Sequence, residues 1–101
     1  RGGTADVWYS GKRADLWIEY KFLPRLPVRS AITADLTALQ LAWLSGRYEE
    51  GRNVWVIIGC KAGGMMLTNK RWETPVAVLT FKQLLWTRKE LAHRIQTHCM
   101  P

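Results

Sequence analysis

The chain has 101 residues, 48% of them hydrophobic, with fifteen Lys and Arg against eight Asp and Glu, a net charge of +7. That length fits one compact domain, and the apolar fraction supplies a core, which excludes a disordered chain. No apolar run approaches the ~20 residues of a membrane span, and the excess positive charge favours a polyanionic partner, nucleic acid above an anionic membrane surface because no basic amphipathic helix has a clean apolar face.

In chain order, residues 5–10 (ADVWYS) read as a short strand. Ser10-Gly11-Lys12 begins a turn into a second strand, Asp15–Lys21, so a hairpin is the economical reading. Alternation in the second strand puts Leu16, Ile18 and Tyr20 on an expected core face, with Asp15, Trp17, Glu19 and Lys21 on the other. Pro24 and Pro27 then forbid a regular strand or helix interior and predict an exposed basic loop. Thr37 with Gln40 forms a capping-box pattern and Gly51 a natural stop, predicting a helix whose Leu36, Leu39, Trp43 and Leu44 face a core. The run NVWVIIGC (53–60) is β-branched and uninterrupted, the pattern of a strand buried on both faces. A turn at Ala62-Gly63-Gly64 leads to a short hairpin partner, residues 65–68. Residues 69–75 (NKRWETP) read as a second basic loop, and VAVLTF (76–81) as a strand or the approach to a helix. Thr87 and Glu90 form another capping box and open a final helix. The order predicts a single small α/β domain over 1–101.

The charged face of the second strand carries the chemistry. If the first two strands pair, Asp6 lies near the strand end where Glu19 and Lys21 sit. Two carboxylates at a sheet edge, with the Tyr20 carbonyl between the charged residues, offer the hard oxygen ligands that Mg²⁺ prefers. An ammonium beside them can orient water and offset charge developing on a phosphate. The alternative is an ordinary solvated strand face, on which such a pair contributes well under ~1 kcal/mol.

The stretches GTAD, DLWIEYK, DLTALQLAWL and GRNVWVIIG, in that order over roughly residues 3–60, resemble the PD-(D/E)xK nuclease superfamily. The likeness is closest to its VRR-NUC and phage-type, Holliday-junction-resolvase-like members. It implies a small restriction-endonuclease-like core, a central mixed β-sheet flanked by helices. Asp6, Glu19 and Lys21 match the motif, with Ala5 in place of its usual Pro. Gln40 matches a glutamine beside the site, a role compatible with capping. The resemblance implies Mg²⁺- or Mn²⁺-dependent hydrolysis of DNA phosphodiesters, with Asp6, Glu19 and the Tyr20 carbonyl holding the ion, Lys21 orienting water, and a selectivity for branched or flapped DNA. Many members carry an acidic residue on a helix before the motif, which here is expected to be removed, supplied by another chain, or absent. The expected setting is the cytoplasm of a bacterium or phage-infected cell, or a eukaryotic nucleus, and, with two strands to cut, a homodimer is expected. The rival reading is a non-catalytic nucleic-acid-binding module or an accessory domain of a larger nuclease.

Around that site, Lys12, Arg13, Arg25, Arg29, Lys61, Lys70 and Arg71, with Arg1, fall in turns or loops and are candidate phosphate contacts. Several are expected to ring one edge of the sheet. Of six tryptophans, Trp43 and Trp55 are expected in the core. Trp17 either packs under the downstream helix, the favoured reading, or stacks an unpaired base. Trp8 and Trp72 stay unassigned. Cys60 and Cys99 are expected as free thiols, and His93, His98 and Cys99 lack the four tightly spaced ligands of a structural zinc site.

Overall fold

A hairpin opens the fold in the computed structural model, which describes residues 5–28 and 30–99. Strand β1 (Val7–Ser10) runs antiparallel to β2 (Asp15–Phe22), with Val7 opposite Ile18, Trp8 opposite Trp17 and Ser10 opposite Asp15. The loop from Leu23 carries the two prolines and leads to helix α1 (Ala38–Glu49). The chain returns as β3 (Val54–Cys60), parallel to β2, and turns at Lys61-Ala62 into antiparallel β4 (Gly63–Leu67). The result is one mixed sheet in the order β1-β2-β3-β4, an α/β architecture with helices against both faces.

Alternation along β2 and β3 sorts the two faces. Leu16, Ile18, Trp55 and Ile57 pack with Cys99 of helix α3 (Arg88–Cys99) and its Leu91 and Ile95. Val54, Val56 and Ile58 on the opposite face join Leu44 of α1, Ile32 and Ala34 of the loop, and Phe81 of the short helix α2 (Val78–Gln83). With both faces covered, β3 has no polar position, as its unbroken apolar run predicts.

Several local expectations change. Of the two readings of residues 76–81, a strand or the approach to a helix, the second holds: Val78–Gln83 is helical and buries Phe81 completely. Residues 69–75 are more than a basic loop: Arg71–Glu73 is a 3₁₀ turn that buries Trp72, whose indole N–H donates to Ser45 Oγ at 3.3 Å. Leu39 is 64% exposed rather than core, while Leu44 carries the helix contact. Tyr20 is 39% exposed, at the point where β2 runs past the end of β1. Gly63 and Gly64 belong to β4, not to the turn before it. Gly63 is required there: its φ is +143°, and a Cβ would meet the Trp86 carbonyl, whose residue exchanges backbone hydrogen bonds with Gly64. Among the described residues, no helix is long and apolar enough to cross a membrane.

Candidate active site

The β1–β2 pairing ends at Val7 opposite Ile18, which leaves Asp6 just outside β1, beside the Glu19–Tyr20 step of β2. Asp6 is fixed there by the Tyr20 backbone N–H, which donates to its Oδ2 at 3.0 Å. The N–H and C=O of one strand residue point to the same neighbouring side. The Tyr20 carbonyl therefore lies on the same side as Asp6, where the two carboxylates converge.

Glu19 is the one buried charged residue among those described, 2% exposed. Its Oε2 accepts from Gln40 Nε2 at 3.0 Å, and its carboxyl also interacts with Asp6. Burial pushes the Glu19 carboxyl above its ordinary range, the Asp6 carboxylate pushes further in the same direction, and the Lys21 ammonium opposes them. Lys21 Nζ lies 3.7 Å from Glu19 Oε2 and donates to Gln40 Oε1 at 3.1 Å.

Gln40 holds this arrangement together. Its Oε1 accepts from the Thr37 backbone N–H at 3.0 Å, and its own backbone N–H donates to Thr37 Oγ1 at 3.1 Å, a complete capping box. The capping role is met by this side chain, which also contacts Glu19 and Lys21. The oxygen serves the helix cap and Lys21, and the NH₂ serves Glu19, a pattern that fixes which way the amide points. The first turn of α1 and the end of β2 are thereby locked to each other.

What can this arrangement do? A buried carboxylate next to a second carboxylate is costly unless a cation or proton joins it. Asp6, Glu19 and the Tyr20 carbonyl therefore fit a hard divalent ion. Mg²⁺ suits such a set because it retains several waters and needs few protein ligands. No group of three or more His, Cys, Asp or Glu with metal-site geometry occurs among the described residues. His98 instead lies against Trp55, with ring centroids 5.1 Å apart, and His93 Nε2 lies 3.4 Å from Thr97 Oγ1.

The candidate phosphate contacts do not ring one edge. Arg25, in the loop after β2, and Lys61, after β3, lie at the end of the sheet that holds the site, since Leu23 N–H donates to the Gly59 carbonyl just beyond it. Lys12 and Arg13 occupy the hairpin turn at the opposite end. Arg13 is tied there to the last turn of α3 through its N–H and the Cys99 carbonyl, 2.8 Å. Lys70 and Arg71 also lie at that far end, beside the C-terminus of α1. Lys70 Nζ is bonded to Glu49 at 2.8 Å and lies 3.8 Å from Glu73. Arg1 and Arg29 lie outside the described residues.

Trp17 packs under the helix, edge-on to Trp43 with centroids 5.2 Å apart. Trp8, unassigned from sequence, pairs with Trp17 and so shares the Glu19 face. The signal that could have placed it is the two-residue period that puts Trp17 and Glu19 on one side of β2. No family model, curated protein or solved structure matches the chain. The functional reading therefore rests on the residues themselves.

Proposed function

We propose that the chain is a metal-dependent DNA endonuclease of the PD-(D/E)xK kind, hydrolysing phosphodiester bonds and favouring branched or flapped substrates. The observation that carries this reading is the buried Glu19 carboxylate, positioned by Gln40 and flanked by Asp6 and Lys21. Asp6, Glu19 and the Tyr20 carbonyl are the groups that would hold Mg²⁺ or Mn²⁺. When bound, such an ion makes water more acidic and offsets negative charge on the phosphate.

The chain's own residues do the rest. Gln40 donates to Glu19 Oε2 and so holds the carboxylate in place beside Asp6. Lys21, held by Gln40 Oε1, keeps further N–H donors for an attacking water or a non-bridging phosphate oxygen. Attack on phosphorus forms the new P–O bond as the bond to the 3′ oxygen breaks, leaving a 5′-phosphate and a 3′-hydroxyl. Arg25 and Lys61 lie at the right end of the sheet to hold flanking phosphates.

The direct test incubates the protein with plasmid, linear duplex and four-way-junction DNA in Mg²⁺, Mn²⁺ or EDTA. Cleavage with either metal and none in EDTA is expected. No cleavage of any substrate under any of these conditions would reject the reading.

A further inference from the structure

Strand β1 sets Trp8 opposite Trp17, on the face of β2 that also carries Glu19, one two-residue step or about 7 Å along the strand. The two indoles are nearly parallel, with centroids 5.8 Å apart and planes inclined by 29°. Trp17 is braced edge-on by Trp43 of α1, and the Arg47 guanidinium, one helical turn on, lies 5.7 Å from the Trp43 ring. This is a wall of three rings, rigid at the back and open at the front. Trp8 is 51% exposed although one side of its ring is taken by Trp17.

An indole is among the most favourable side chains to bury, so half-exposure next to a charged site calls for a physical reason. Edge-strand protection does not supply one, since edges are blunted with charges, prolines or bulges, not with aromatic rings. Beside the wall, Arg47 and Arg52 share one carboxylate, Glu50, at 2.6 and 3.9 Å. On the side away from the Asp6–Glu19 carboxylates, the wall therefore meets two guanidinium groups against one carboxylate. An apolar partner protein without negative charge is a poor match, whereas a ring carried on a phosphate backbone fits both features.

We propose that Trp8 is the stacking platform for an unpaired base next to the cleaved phosphodiester, so that the site selects single-stranded arms over intact duplex. Bases inside a duplex have both faces occupied by their neighbours, and only an unpaired base can present one to the indole. Trp17 sets the plane of the Trp8 ring, and Arg47 and Arg52 face the strand's phosphates. This inference rests on the nuclease reading for where the cut bond lies, and its test reads binding alone.

The experiment measures fluorescence anisotropy of labelled oligonucleotides in EDTA, comparing a duplex that ends in a single-stranded arm with a blunt duplex carrying the same number of phosphates. The parent protein should favour the armed duplex. Trp8→Ala should weaken arm binding by roughly 5- to 150-fold, the span for one base stacked on one ring, and leave blunt-duplex binding within about twofold. Trp8→Phe should restore most of the loss, which separates stacking from a folding defect. Equal weakening on both DNAs, no weakening by Trp8→Ala, or no parental preference for the arm would overturn the proposal. Arm preference without metal-dependent cleavage would leave the platform standing and sink the nuclease reading.

Discussion

At the scale of the residue, Glu19 is the side chain whose energetics and chemistry conflict most. Its native carboxyl holds a proton more tightly than the unfolded chain does, because burial and Asp6 both disfavour the charge. The sign follows from linkage. The native state binds the extra proton, so stability falls as pH rises from the ordinary carboxylate range through Glu19's raised native value. Glu19→Gln keeps the shape and a polar partner for Gln40 but removes the ionisation. The variant should lose that part of the pH dependence and melt higher than the parent at neutral pH. Thermal melts in metal-free buffer across pH 4 to 8 check this; parallel curves for the two proteins would contradict it. The sequence exposed Glu19's neighbours through the two-residue period. It did not expose the burial, because β2 is covered on the Glu19 face by α1, an element from twenty residues further on.

At the scale of the element, the first turn of α1 has two duties. Its capping box satisfies helix donors that otherwise lack partners, and its Gln40 amide also ties down Glu19 and Lys21. Thr37→Ala removes a cap alone and should cost about 0.5–2 kcal/mol. Gln40→Ala removes the other half of the box and also leaves a buried carboxylate oxygen unsatisfied, so it should cost more than Thr37→Ala. Urea unfolding of the two variants checks the order, and a smaller loss for Gln40→Ala would mean that the amide does not support Glu19. Both capping boxes were legible because their signals lie within four residues; the second closes with Glu90 Oε1 accepting from Thr87 N–H at 2.8 Å. Strand β3 was legible from its apolar run. Helix α2 was legible only as one of two alternatives, since its β-branched residues favour a strand, and the burial of Phe81 goes with the helix. Nor could sequence order show that the loop bridges back through Ile32 and Val76.

At the scale of the whole molecule, the net charge of +7 matters less than where its members lie. Arg25 and Lys61 sit at the site's end of the sheet, whereas Lys70 is engaged by Glu49 and Glu73 at the other. DNA affinity should fall with salt by a log–log slope of roughly −0.9 for each phosphate contacted. Replacing Arg25 and Lys61 together by Ala should flatten that slope by up to about two contacts' worth, while Lys70→Ala should leave it unchanged. A titration in which Lys70→Ala flattens the slope as much as the double variant would overturn this division. The central claim is that Asp6, Glu19, Gln40 and Lys21 form one hydrolytic site on the sheet edge. Its most direct measurement is the rate of DNA cleavage in Mg²⁺ by the parent, Glu19→Gln and Lys21→Ala, each shown by circular dichroism to be folded. We expect both variants to lose cleavage by at least about a hundredfold, as removal of a preorganised charged group does elsewhere. Parental rates in both folded variants would show that the catalytic centre is not here.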